Sequence, residues 1–284
     1  MGGHGSGSAY RILMKVLESC TGQTLAPGRL WRIEMSLGPI MQRHGIADLD
    51  TLVAELVRAE NRRLLDATIG AMLNNETFFY RERSLFDDIG GPALDHLRAV
   101  KESQRRLTIW HCGVSTGQEA YSMAMLLAEQ GEKWAGWQVD IVGTDVSSQA
   151  IARARVGLYS QFEIQRGLPI KQMVRWFDQT EGGWLAKADL RRRVHFSVQN
   201  MLTDRPPLSE PADLIFCRNL LLYFAPPMRR EAFRKLRALA PPHSLLVLGA
   251  GETVIGQTED FVASTRFRGF YEPASTDARC SAAA

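Results

Sequence analysis

At 284 residues, with 45% hydrophobic and 23% charged side chains, the chain can bury a sizeable core, which rules out a mini-protein and suggests one or two globular domains. No run of roughly 18 apolar residues is present to span a bilayer, so the expectation is a soluble protein with no direct membrane insertion. A net charge of +3 is too small to argue for nucleic acid on its own, since strong phosphate binding usually shows as a concentrated basic patch, so no nucleic-acid partner is expected; Cys20, Cys112, Cys217 and Cys280 stand singly, predicting no metal site and a reducing, cytoplasmic setting.

Residues 1–8, MGGHGSGS, lack the apolar core of a signal peptide and read as a tag or disordered tail. Residues 9–73 read as a helical domain: YRILMKVLESCTG ends on a glycine, PGRLWRIEMSLGPIMQRHG begins with Pro27 near a first turn, and DLDTLVAELVRAENRRLLDATIGAML carries apolar residues at three- and four-residue spacing. From residue 106 short apolar runs alternate with amphipathic helices: RLTIWHCGV, GQEAYSMAMLLAEQ, WQVDIVGTDVS and SQAIARARVG. The alternation resumes with RVHFSVQNM, ADLIFCRNL, PPMRREAFRKLRALA and SLLVLGAG, and closes on a pair around DFVASTRF and RGFYEP. Such a pattern predicts an α/β fold with a parallel sheet. The stretch at about 158–193 is too long for a plain connection and includes a strand-like WLAKADL, so it reads as an insertion subdomain.

In an open parallel sheet, ligands gather at the carboxyl ends of the strands. The first such loop, GVSTGQE at 113–119, has neither dinucleotide spacing nor a P-loop lysine, and Glu119 stands where acids also favour a first helical turn. Asp145, directly after the second strand, is placed to accept from both hydroxyls of a ribose, or else to cap the next helix. Asn200 in VQNML could read an adenine edge or hold a turn. In FCRNLLLYF, Arg218, Asn219 and Tyr223 are the polar exceptions in an apolar run. Hydrogen-bonding loops, an acid after the second strand and no phosphate cradle describe a nucleoside with a charged amino-acid tail; S-adenosylmethionine matches.

NNETFFYRERSLF, IWHCGVSTGQEAYSMAMLL, IVGTDVSSQAIARARVGLY, RGLP and IFCRNLLLYF resemble, in order, the signature segments of the chemotaxis receptor methyltransferases, the CheR family. The resemblance runs from about residue 22 to about residue 272. It implies an all-α N-terminal domain, a linker at 74–90 folding over the cofactor, a Rossmann-like methyltransferase domain at 91–275 with a small antiparallel β insertion, and a flexible tail at 276–284. It also implies methyl transfer from S-adenosylmethionine to glutamates on the cytoplasmic helices of chemoreceptors, giving methyl esters and S-adenosylhomocysteine. On this resemblance Asn75 and Thr77 contact the cofactor, Arg81 lies beside the sulfonium, Glu119 holds the methionine ammonium, Asp145 the ribose, and Asn200 with Met201 the adenine. Arg218 and Asn219 fall at further cofactor-side positions, and Tyr223 lies near the acceptor carboxylate.

The chain departs from the family pattern in places. Gln118 precedes a single acid after STG, the strand ending HSE is AGE with Glu252 kept, and the basic face of the helical domain is thin, with Arg29, Arg32 and Arg43 remaining. The short loop in WFDQTEGGWLAK implies no dependence on the pentapeptide tether that some members use. The expected form is a monomer. An acceptor carboxylate is ionised near neutrality, so no general base is needed and catalysis should rest on placement, with Arg81 as the clamp unless it merely pairs with Glu82 or Asp87. Tyr223 either orients the acceptor or caps the core. The alternatives are an inactive, cofactor-sensing receptor adaptor and a methyltransferase acting on another protein. An adenine-targeting enzyme would want Pro-Pro and an aromatic after the fourth strand, which CRNLLLYF lacks.

Overall fold

The computed structural model describes residues 7–25, 30–58 and 61–275 of the chain. Expectations for residues 1–6 and 276–284, for Pro27 and Arg29, and for the side chain of Arg32 lie outside the described residues. Four helices come first: α1 (Gly7–Thr21), α2 (Leu30–His44), α3 (Leu49–Arg58) and α4 (Arg62–Met72). Helix α1 begins inside the expected tail, and its Ala9, Leu13 and Leu17, four apart, join Leu37, Leu52 and Leu64 in a core separate from that of the sheet. The apolar run across 48–73, which periodicity alone leaves continuous, divides at Asn61, whose side chain accepts from Leu64 N at 3.1 Å and starts α4.

Two short helices, α5 (Arg83–Asp88) and α6 (Leu94–Val100), lead into the sheet. The rest of the chain runs β1 (Arg106–Cys112), α7 (Gln118–Glu129), β2 (Gln138–Asp145), α8 (Ser148–Val156), β3 (Leu158–Tyr159), α9 (Gln161–Gln165), α10 (Ile170–Trp176), β4 (Phe177–Thr180), β5 (Gly183–Ala186), α11 (Ala188–Arg191), β6 (Val194–Val198), β7 (Leu214–Cys217), α12 (Pro226–Ala238), β8 (Leu245–Leu248), β9 (Phe261–Ala263) and β10 (Phe270–Pro273). The main sheet has the order β6-β2-β1-β7-β8-β10-β9, parallel from β6 to β8 and antiparallel at the end. The fold is a Rossmann-like α/β sheet preceded by helices, with a second, antiparallel sheet β3-β5-β4 set into it. WLAKADL, expected as strand, divides: β5 stops at Ala186, and Leu190 is buried from the one-turn helix α11.

The chain lays down β1, β2 and β6 outward in one direction and then returns to place β7 against the free side of β1. The switch point therefore lies between the tips of β1 and β7, where loops diverge and leave a crevice. Strands covered on both faces read as nearly continuous apolar runs, and β1 obeys this: Leu107 and Ile109 enter one core layer, Trp110 and Cys112 the other. The segment expected as a linker is anchored in the first layer by Phe79, Tyr80, Phe86 and Ile89, so its second half packs as part of the sheet domain.

Candidate active site

The sheet tips are joined by backbone before any side chain enters. Gly113 N and Val114 N both donate to Thr144 O at 2.9 Å, so the loop after β1 lies against the end of β2. Gly117, at φ +95°, then starts α7; a Cβ there would stand 3.0 Å from Ala154 and 3.1 Å from Phe196. Helix α7 in turn carries Glu119 in its first turn, back toward β1.

Asp145 ends β2, and the helix-capping alternative falls to a neighbour: Ser147 caps α8 by accepting from Ala150 N. Asp145 Oδ2 instead accepts from Ser115 N at 2.8 Å and Oδ1 from Ser147 N at 2.8 Å. Burial pushes its carboxyl pKa up, opposed by these backbone donors and that of Val146. Each oxygen keeps a lone pair for another donor, as a ribose diol would require.

Glu119 is the centre of a second cluster. Oε1 lies 2.9 Å from His111 Nδ1, and Oε2 accepts from Arg218 Nη1 at 2.7 Å. Burial alone would raise its pKa, but the Arg218 guanidinium and the His111 hydrogen bond outweigh it and lower the pKa to about 2. Arg218 continues to the segment overhead, donating from Nη2 to Arg81 O at 3.1 Å and pairing with Glu82 Oε1 at 3.0 Å. Two carboxylates against one guanidinium leave the cluster net negative, suited to a ligand ammonium. Nη1 and Nη2 of that guanidinium are committed to protein acceptors and act as a strut between sheet and linker.

Arg81 sits within that linker between two residues in the left-handed region, Tyr80 at φ +50° and Glu82 at φ +64°. Ser115 at φ +53° and Asn219 at φ +57° are also in the site, so backbone strain gathers here. The ion-pair alternative for Arg81 is not realised: Glu82 turns to Arg218, Asp87 faces Arg83 at 3.8 Å, and the Arg81 guanidinium lies 5.6 Å from the Phe78 ring centroid. Asn74 Nδ2 donates to the Tyr223 hydroxyl, Ser115 Oγ donates to Asn75 O at 2.8 Å, and Thr24 N donates to Tyr223 O at 2.8 Å. Glu252 holds the loop after β7, accepting from Asn219 N at 2.6 Å and Gly249 N at 2.8 Å.

All ten residues singled out in the sequence line two adjoining cavities. Asn75, Thr77, Arg81, Glu119, Asp145, Arg218, Asn219 and Tyr223 line the first, and Asp145, Asn200 and Met201 the second; Gln23, Gly113, Asp145 and Leu220 belong to both. Their volumes, about 50 and 30 Å³, fall well below the roughly 300 Å³ of a small-molecule site, because the linker is drawn down on the tips by the bonds just described. Neither cavity as it stands has room for a nucleoside.

A roomier cavity of about 610 Å³ adjoins them between the helical domain and the sheet, sharing Thr21, Val146 and Asn200. None of its lining residues leaves a buried polar atom unpartnered, whereas Arg218 Nε lies at the first small cavity's wall and Gln199 Oε1 at the second's. Unmet hydrogen bonds thus fall at the strand tips, as they also do at Tyr80 and Gln172, which line a separate cavity of about 270 Å³. Donors and acceptors suit a nucleoside with an amino-acid tail: an ionised Glu119, the paired oxygens of Asp145 and the unused acceptor of Gln199.

The side chain of Asn200 follows its turn-holding alternative. Oδ1 accepts from Leu202 N at 2.9 Å and Nδ2 donates to Cys20 O at 2.9 Å, tying the loop to the end of α1. Sequence reasoning passed over Gln199, His111 and Asn74, and took Glu82 only as a partner for Arg81. A histidine in the otherwise apolar RLTIWHC was the one visible signal among them.

Residues 75–268 match the family described as CheR methyltransferase, SAM binding domain. The chain is similar to Chemotaxis protein methyltransferase 1 of Vibrio cholerae serotype O1, 33% identical over 259 residues and covering 90% of this chain and 93% of that one. It is also 31% identical over 251 residues to Chemotaxis protein methyltransferase 1 of Pseudomonas aeruginosa, covering 86% of this chain and 90% of that one. Among solved structures, the CcbJ methyltransferase from Streptomyces caelestis is 15% identical with a TM-score of 0.32, covering 57% of this chain and 53% of that one, a likeness too slight to carry an argument.

Proposed function

Because the chain belongs to the CheR methyltransferase family, we propose that it moves the methyl group of S-adenosylmethionine onto glutamate side chains of chemoreceptor cytoplasmic helices. The products are glutamate methyl esters and S-adenosylhomocysteine, and the setting is the cytoplasm. The observation that carries this reading beyond cofactor binding is the placement of Arg81: it is held between two strained residues at the wall that also bears Glu119, Asp145 and Tyr223.

S-adenosylmethionine supplies an electrophilic methyl group on a sulfonium when bound. Glu119 takes the ammonium of its tail, with the charge of the carboxylate secured by Arg218 and His111. Asp145 takes the ribose hydroxyls, and Gln199 with Met201 faces the base. An acceptor glutamate, with an ordinary pKa of about 4.3, arrives ionised and needs no base. Arg81, with no carboxylate partner among the described residues and only a 3.5 Å bond from Nη1 to Glu76 O, fixes the direction of approach by its planar fork, and Tyr223 lines the same cavity. The linker excludes water by lying on the tips.

The protein incubated with methyl-labelled cofactor and cytoplasmic fragments of chemoreceptors should place base-labile label on those fragments and release methanol on alkaline treatment. Label that resists base, or no transfer to any receptor fragment from its own host, would overturn the reading. The loop between β4 and β5 is only the pair Glu181–Gly182, which supports a receptor complex without a pentapeptide tether; the enzyme is proposed to act as a monomer. Micromolar binding of the isolated pentapeptide in calorimetry would contradict the first of these, and a dimer by light scattering the second.

A further inference from the structure

His111 is wholly buried on β1, on the side chain's own face of the sheet with Leu107 and Ile109. Its ring stacks on Phe216, its register partner on β7, with centroids 4.2 Å apart and planes 17° off parallel. Packing accounts for a flat ring at this position but not for an imidazole. Nε2 is buried and has no hydrogen-bond partner, a cost that an apolar ring or a leucine would not incur. Nδ1, by contrast, lies 2.9 Å from Glu119 Oε1. An ionised carboxylate only accepts, so this contact puts a proton on Nδ1.

The two oxygens of Glu119 are therefore gripped from different elements, Oε1 by β1 through His111 and Oε2 by the end of β7 through Arg218. Arg218 alone would pull the carboxylate toward Glu82 and the linker, in the direction of its other bonds. A second grip at Oε1 opposes that pull and fixes the carboxylate plane, which decides where its remaining lone pairs point.

We propose that His111 is a positioning residue for the amino-acid tail of the cofactor: as an Nδ1–H donor it holds the Glu119 carboxylate in the plane that receives the ligand ammonium. The proposal rests on the reading of Glu119 as the ammonium ligand. It predicts that His111 matters for ligands that carry the tail and not for the nucleoside alone.

The test is a set of titrations with S-adenosylhomocysteine and with 5′-methylthioadenosine, which keeps adenine, ribose and sulfur but has no amino-acid tail. His111→Leu should weaken S-adenosylhomocysteine about tenfold, about 1.4 kcal/mol, and leave 5′-methylthioadenosine within about twofold. His111→Asn, whose amide can donate from near the Nδ1 position, should recover most of the loss. Equal weakening of both ligands would make His111 a packing residue and overturn the proposal. A loss of S-adenosylhomocysteine binding in Glu119→Gln without one in His111→Leu would overturn it while leaving Glu119 as the ammonium ligand. Unchanged S-adenosylhomocysteine binding in Glu119→Gln would remove that ligand reading itself. Should the leucine variant fail to fold, nitrogen NMR of the imidazole in the wild-type protein decides: a proton on Nδ1 is expected, and an Nδ1 without one would overturn the proposal.

Discussion

The strands of the main sheet carry a histidine, a carboxylate and a cation at both ends, and the two trios differ in everything but their composition. At the amino ends, Asp213 Oδ1 accepts from Lys101 Nζ at 3.2 Å and faces His243 Nε2 at 2.8 Å, while Oδ2 accepts from Thr108 N at 2.8 Å. Its backbone bonds β1 and β8 as well, through Thr108 O and Leu245 N at 2.9 Å each. No buried side-chain nitrogen or oxygen of that trio is left unpartnered. At the carboxyl ends, Glu119 joins His111 and Arg218, and there His111 Nε2 and Arg218 Nε lack partners, the adjacent backbone is strained and the wall is a cavity. A satisfied buried network clips strands together; an incomplete one beside a cavity waits for a ligand.

The largest expected effect tests the amino-end trio. Asp213→Ala strips the partner from a buried lysine and should cost about 3 to 5 kcal/mol in denaturant unfolding. The fraction that folds should bind S-adenosylhomocysteine as tightly as the wild type. If cofactor affinity fell with stability, the division between clip and site would fail.

The next effect belongs to the linker. Arg81→Ala should lower turnover at least a hundredfold, about 2.7 kcal/mol, while S-adenosylhomocysteine affinity stays within tenfold. Single-turnover kinetics separates the two. Parallel losses would assign Arg81 to holding the cofactor rather than to directing the acceptor.

Acid titration distinguishes the carboxyl-end trio by sign. Glu119 has its pKa lowered from 4.5 to about 2 in the fold, so its ionised form stabilises the native state. That contribution is complete above pH 4.5 and is lost as pH falls through about 2. The stability gap between wild type and Glu119→Gln should therefore be widest near neutrality, on the order of 2 to 3 kcal/mol, and close as the solution is made acidic. A gap that is flat from pH 7 to about pH 2 would show that the ionised form adds nothing.

These contrasts are partly legible in the amino-acid sequence alone. Alternating apolar runs announce a parallel sheet because strands covered on both faces need no polar side, and polar residues just past those runs, such as Glu119, Asp145 and Arg218, can lie only at the tips. What could not be read is whether a polar side chain is spent or spare. Asn200 is taken up by Leu202 and Cys20, contacts that depend on how the helical domain docks. His111 stands in an apolar run, where a satisfied core histidine is the ordinary reading, and its link to Glu119 crosses from strand to helix. The break at Asn61 and the turn to helix after Ala186 fall where apolar spacing continues, so periodicity passes over them. The strain at Tyr80 and Glu82 has no composition signal, since neither is a glycine or asparagine.

The smallest effect asks whether the insertion belongs with the carboxyl-end seam. Arg166, ahead of α10, donates to Glu76 Oε1 at 2.7 Å and lies 4.3 Å from the Phe78 ring centroid. Next to it, Gly167 at φ +88° comes so close to the linker that a Cβ would meet Phe79 O at 2.0 Å. Both sides of the ion pair are well exposed, so Arg166→Ala should cost less than about 1 kcal/mol of global stability. Its effect should instead be local, because the same contacts hold the linker down at the edge where a nucleoside must enter. Hydrogen exchange of amides 76–82 should quicken several-fold in the variant, and S-adenosylhomocysteine should leave faster, while amides around Asp213 keep their protection. Equal loosening at both ends of the sheet would show a general destabilisation; no change at 76–82 would leave Gly167 and the aromatic anchors as the only hold of the insertion on the linker.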